Sequence, residues 1–179
     1  MSCKYNNCSN LTTINIPNSV TAIGGQAFDG TSWYDNQPDG LVYAGLVAYG
    51  YKGDMPEGTS ITLREGTTGI ADGAFSSGSN LTTVSIPNSV TYIGEGAFSY
   101  CIHLNDVYCY ATTPPKCCPS AFTNIISETI SATLHVPAAS LAAYCAAPVW
   151  GDFKNILGDA VAPTGIATSR DSVETQSGE

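Results

Sequence analysis

The chain has 179 residues, a length that suits one domain or one repeat array. Charged residues make up 12% of it and hydrophobic ones 43%, with 18 glycines and 10 prolines, a balance that disfavours exposed helical faces and favours short strands joined by bends. Acids outnumber bases 15 to 6 for a net charge of −9, which argues against nucleic acid as a partner, and no apolar run approaches the roughly 18 residues needed to span a bilayer.

Met1 is followed by SCKYNNCS, which has no apolar signal core, so the expectation is a cytosolic chain or an excerpt of a longer one. Cys8 precedes Leu11 by three residues as Cys101 precedes Leu104, and Tyr5 falls in the column of Phe98. The chain is therefore expected to begin inside a coil, with further sequence upstream. Next comes NLTTINIPNSVTAIGGQAF, Asn10 to Phe28, which returns almost letter for letter as NLTTVSIPNSVTYIGEGAF, Asn80 to Phe98. Between them ITLREGTTGIADGAF is a degenerate copy, in which Ile61, Leu63 and Ile70 hold the places of Val84, Ile86 and Ile93. Phe75 and Phe98 stand 23 residues apart, and Phe28 and Phe75 stand 47 apart, spacings that belong to a solenoid.

Within a coil, Val84 and Ile86 follow the period-2 alternation of a half-buried strand, which Pro87 should end because it has no N–H to donate. Asn88 and Ser89 supply a turn, Val90 and Ile93 return to the core, and Ala97 and Phe98 close the coil. One coil cannot bury such an edge alone. Stacked coils can, at roughly 1.5–3 kcal/mol per large aliphatic side chain.

Residues 31–60 interrupt the array and carry alternating runs, Leu41 to Tyr43 and Leu46 to Tyr49, around Ala44 and Gly45. They read as a hairpin that projects from a coil or replaces part of one. After Phe98 the pattern continues through Leu104, Val107 and Cys109 and loosens at ATTPPKCCPSAF. Residues 134–157 hold a last strand and a short helix starting at Pro137 or Ser140, with Leu141, Tyr144 and Cys145 on one face. Trp150, Phe153 and Ile156 complete a C-terminal cap. Residues 159–179 lack apolar periodicity and read as a flexible tail after a solenoid spanning 1–158.

The motif LxxVxIPxSVxxIGxxAFxxC resembles the BspA-like leucine-rich repeats, a bacterial family, over roughly Tyr5 to Ile156. The resemblance implies a right-handed α/β solenoid with short parallel strands, a hairpin insert and a helical cap. It also implies a secreted or cell-surface protein attached to host or microbial proteins or glycans, without enzymatic activity or cofactor. Only structural positions carry over: Leu11, Ile14, Ile16, Val20, Ile23, Ala27 and Phe28, with their counterparts in Leu81 to Phe98.

Outward residues of stacked strands form columns about 4.8 Å apart. One column is expected to hold Asn15, Thr62, Ser85, Tyr108 and His135, and its neighbour Thr13, Ser60, Thr83, Asp106 and Thr133. They are solvated strand residues or a polar binding face centred on Ser85, Asp106, Tyr108 and His135. In the insert, Trp33, Tyr34 and Tyr51 either cover the interrupted array or offer rings to a sugar or protein partner. Cys3, Cys8, Cys101, Cys109, Cys117, Cys118 and Cys145 are odd in number and show no repeating pair, so most are expected to be buried free thiols. Cys101, His103, Cys109 and the Cys117–Cys118 pair match no short chelating motif, and nothing orients a cysteine toward His135 as a nucleophile. Asn10 and Asn80 open formal glycosylation sequons but recur once per repeat, as turn residues capping backbone groups do. The alternatives to recognition are a spacer without a ligand and a carbohydrate-active enzyme, which needs paired carboxylates in a cleft.

Overall fold

The computed structural model describes residues 8–125 and 132–162. Cys3, Tyr5 and the tail beyond residue 162 lie outside the described residues. In chain order the elements are a helical turn α1 (Ser32–Asp35), a hairpin β1 (Gly40–Ala44) and β2 (Val47–Lys52), then β3 (Thr59–Thr62), β4 (Gly69–Ile70), β5 (Leu81–Ile86), β6 (Tyr92–Ile93), β7 (Asp106–Cys109), β8 (Lys116–Cys117), β9 (Thr133–His135), a short helix α2 (Leu141–Ala146) and β10 (Asn155–Leu157).

Each regular coil gives a longer strand to one sheet and a two-residue strand to a second. The first sheet runs β10-β9-β7-β5-β3 and is parallel throughout; the second runs β1-β2-β4-β6-β8, antiparallel only within the hairpin. Strand β5 shows why. Leu81, Val84 and Ile86 are fully buried while Thr82, Thr83 and Ser85 are half-buried. The strand stops before Pro87, and the Val90 N–H donates to Pro87 O at 3.2 Å to make the bend into β6. The Asn80 side-chain amide donates to Met55 O at 2.7 Å in the coil below. The result is a repeat solenoid with the apolar edge of every regular coil turned inward.

The register stacks Ile61 on Val84, Val84 on Val107 and Val107 on Leu134, all buried. A second column is aromatic. Phe98 lies between Phe75, at 5.3 Å between ring centroids, and Phe122, at 5.1 Å, with the rings nearly parallel. The backbone beside them is laddered too, because the Phe75 N–H donates to Ala97 O and the Phe98 N–H to Ala121 O, both at 2.8 Å. Levels sit so close that a Cβ on Gly94 would stand 2.6 Å from Asp72 N, so this position tolerates only glycine. At the far end Phe122 meets Trp150 and Phe153, and the Trp150 indole donates to Pro115 O at 2.8 Å.

The first coil departs from the expected pattern despite its sequence. It forms no strand over residues 11–16, so Thr13 and Asn15 join neither outward column and the first sheet ends at β3. Leu11 is 37% exposed, and Ile14, Ile16, Val20, Ala27 and Phe28 are only half-buried, leaving Ile23 as its one buried aliphatic. The cause is the hairpin, which does replace part of a coil. Strand β2 pairs with β4, putting Ala48 opposite Ile70, and Arg64 covers the Tyr43 ring at 4.0 Å. The first coil touches the regular array at Asp72, whose N–H donates to Ile23 O at 3.0 Å, and then diverges. The Phe28 N–H, whose counterparts on Phe75 and Phe98 donate to an alanine carbonyl of the next coil, finds the Tyr49 hydroxyl at 3.0 Å. Gly50 occupies the space, since a Cβ there would lie 3.2 Å from Ala74 O.

The C-terminal part also corrects details. Helix α2 starts at Leu141 after a 3₁₀ turn at Ala138–Ser140; Tyr144 is buried and Leu141 half-buried, but Cys145 is exposed and does not share their face. Past residue 158 the described chain returns alongside the array. The Ala160 N–H donates to Val136 O at 3.1 Å, and the Ala160 side chain is buried.

Replacing Phe98 by Ala should cost about 3–5 kcal/mol, because its neighbours on both sides are fixed by backbone ladders and cannot collapse into the void. Urea denaturation of Phe98→Ala beside the parent chain measures it; a loss below about 1 kcal/mol would mean that the aromatic column does not hold the levels together.

Candidate ligand-recognition surfaces

On the outer face of the first sheet the expected columns form from the second coil onward. Thr62, Ser85, Tyr108 and His135 are consecutive partners across β3, β5, β7 and β9, and Ser60, Thr83, Asp106 and Thr133 run beside them. The row changes chemistry toward β9. Tyr108 stacks on His135 with ring centroids 4.3 Å apart and 13° between planes, and Tyr110 extends the stack at 6.4 Å. His135 is only 8% exposed. Its Nε2 lies 3.2 Å from Asp106 Oδ1 and its Nδ1 2.8 Å from Asp159 Oδ1. Both contacts are hydrogen bonds at once only when the ring carries two N–H groups. Burial, followed by the charges of Asp106, Asp159 and Tyr110, raises the Tyr108 phenol above its ordinary value, so it stays a neutral donor.

Ser85, Asp106, Tyr108 and His135 are thus brought together, with His135 as the buried support and Asp106 and Tyr108 as the half-exposed groups above it. Asp159 was missed. It lies beyond β10 in a stretch without apolar pattern, and only the return of the chain alongside Val136 brings it to the imidazole.

The second set of candidates lies on the other sheet, in the insert. Trp33 and Tyr34 stand on α1, which Thr31 caps by accepting the Tyr34 N–H at 3.2 Å. The Trp33 ring meets Phe28 edge-on at 5.0 Å and lies 6.1 Å from Tyr49, so it is held half-buried in an aromatic cluster. Tyr34 and Tyr51 reach a cleft of about 570 Å³ between the first coil and the next, lined also by Asp29, Tyr49, Asp72 and Glu95. Tyr49 donates to Asp29 Oδ1 at 3.3 Å, and burial, foremost among several causes, raises its phenol well above the usual range. Asp72 Oδ1 accepts the Glu95 N–H at 2.8 Å. A smaller cleft of about 370 Å³ adjoins it, and the two share Tyr51, Ala74 and Ser76. The signal for this cleft in the sequence is the pair Asp72 and Glu95, each two residues after the core isoleucine of its coil. Among the described residues no group of three or more His, Cys, Asp or Glu side chains is placed to hold a metal ion.

Parallel coils with a buried aromatic column and outward rows of polar side chains define a repeat protein whose exposed faces are the surfaces available to a partner. The chain belongs to the BspA type leucine-rich repeat family: the family model matches in six copies over residues 2–37 and 51–140. The unmatched stretch between the two blocks is the body of the hairpin. None of the curated proteins matches the chain.

The cysteines are free among the described residues, but fewer are buried than expected: Cys101 and Cys109 are buried, Cys8, Cys117 and Cys118 half-buried, and Cys145 exposed. Burial pushes the Cys101 and Cys109 thiols up to about 11, and burial with the neighbouring Cys118 pushes Cys117 up to about 12. These groups stay protonated at neutral pH, and only the thiolate is nucleophilic. Brief iodoacetamide treatment of the folded chain at pH 8, read by peptide mass spectrometry, should therefore label Cys145 first and leave Cys101 and Cys109 unmodified until denaturant is added. Early labelling of Cys109 would show that its coil opens.

Proposed function

We propose that the protein is a non-catalytic recognition module of a secreted or cell-surface bacterial protein, adhering to proteins or glycans on host or microbial surfaces. The family supports a binding or adhesion role, and no helix among the described residues is long and apolar enough to cross a membrane. On this reading the coils wind right-handedly and α2 with Trp150 and Phe153 closes the C-terminal end as a cap.

The observation that carries the reading is the outer row of the first sheet. Asp106 and Tyr108 are half-exposed, yet they are held in place by His135 beside them on β9 and by the parallel ladder beneath. A partner that meets them pays little ordering entropy, which is how a modest polar surface gains affinity. Many copies displayed on one surface then multiply weak contacts into avidity.

A spacer that only holds another domain outward is the second reading, favoured by the half-buried packing of Trp33 against Phe28 and Tyr49. The two separate on an array of extracellular-matrix proteins and glycans probed with the intact chain beside Tyr108→Ala and Asp106→Ala. Recognition through this face predicts at least one ligand whose binding falls about tenfold in Tyr108→Ala with the fold retained by circular dichroism. An array that stays blank for the intact chain would favour the spacer.

A further inference from the structure

We infer that the cleft between the first coil and the next, along the hairpin strand, binds a neutral oligosaccharide of several sugar units. This rests on the recognition reading and names the ligand chemistry of its second surface.

The cleft exists because the stack is broken at one place. Elsewhere adjacent coils close on each other through the Phe N–H to Ala O bonds at 2.8 Å. Here the Tyr49 hydroxyl takes the Phe28 N–H, and the first coil stands off from the turn at residues 73–76. The resulting volume of about 570 Å³ is within the range of small-ligand sites, and the adjoining cleft of about 370 Å³ lengthens it along Ser76, Ser77 and Ser79. A groove of that form suits an extended chain better than a compact molecule.

Its lining matches sugar chemistry in three respects. Tyr51 lines both clefts and is half-buried against the core; among the described residues no aromatic ring or cation is stacked on it, which leaves its cleft side to meet the C–H face of a pyranose. Tyr34, by contrast, already has Lys52 Nζ over its ring at 5.8 Å and contributes mainly its hydroxyl. Asp29 and Asp72 each commit one carboxylate oxygen to the protein, to the Tyr49 hydroxyl and the Glu95 N–H, and among the described residues the other has no partner and is open to ligand hydroxyls. Serine hydroxyls and exposed turn backbone along the second cleft donate as well as accept, which a polyhydroxylated ligand uses on both sides and an ammonium group does not. Among the described residues no lysine or arginine lines either cleft, and the nearby Lys52 ammonium is engaged by Asp35 O and Gln37 O at 2.6 Å. Uronic, sialylated and sulfated sugars are thereby repelled.

The test is calorimetric titration of the full chain with maltotetraose, cellotetraose, chitotetraose and mannotetraose, beside sialyllactose, a heparin tetrasaccharide and spermine. At least one neutral tetrasaccharide should bind and the two anionic sugars should not. Tyr51→Ala should weaken that binding about five- to tenfold, the scale of one aromatic contact, while Tyr51→Phe retains it and Lys154→Gln, at an exposed position lining neither cleft, leaves it unchanged. Thermal melting of both Tyr51 variants reports whether the hairpin stays in place. Binding that Tyr51→Ala leaves intact, binding of only the anionic sugars or only spermine, or no binding of any neutral tetrasaccharide would overturn the inference. If the tetrasaccharides fail while a ligand sensitive to Tyr108→Ala persists, the cleft assignment falls and the recognition reading stands; silence in both experiments removes both.

Discussion

The structure depends on one constraint: no coil can bury its own apolar edge, so every coil must lie in register on the next. The constraint is met twice at each level. Val84 is enclosed by Ile61 and Val107 in the first sheet, and Phe98 by Phe75 and Phe122 in the aromatic column. The backbone ladder fixes the spacing, and the side chains fill it. Core residues are thereby tied to single positions, while outward residues of the same strands are free to vary, which is why the row that reads Thr62 and Ser85 at one end can read Tyr108 and His135 at the other.

Both surfaces of interest arise where that regularity changes. Near β9 the outward row becomes aromatic and charged, and the chain leaving β10 returns to place Asp159 against His135. At the other end a hairpin takes the place of a coil segment, and the mismatch between a strand that carries Tyr49, Gly50 and Tyr51 and the turn it replaces leaves a cleft instead of a contact.

Much of this was legible in the chain itself. The columns of Val84, Ile86, Ile93 and Phe98, the stop at Pro87, the hairpin around Gly45 and the outward register from Ser60 and Thr62 onward all follow from spacing, because each reflects contacts made by neighbouring levels one period apart. What stayed hidden involves contacts outside that period. Asn10 to Phe28 repeats Asn80 to Phe98 nearly letter for letter, yet Leu11 is exposed where Leu81 is buried, since what differs is the neighbour and not the coil. Asp159 gives no signal because its partner is reached only after the chain doubles back. The burial of the cysteines was overestimated for a related reason: Cys101 and Cys109 occupy repeat columns, whereas Cys145 sits on a helix whose orientation no repeat dictates.

The near-identity of those two segments bears on how the chain reaches its fold. Two stretches of almost the same sequence match the one berth between Phe75 and Phe122, so side-chain pattern alone leaves two registers open to a refolding chain. Arrays of similar units are prone to such shifted assemblies, within one chain or by exchange between two. The hairpin resolves the degeneracy. With Tyr49 presented to the Phe28 N–H, the first segment has a partner that the second lacks, so the element that breaks the regular stack also tells its two lookalike coils apart.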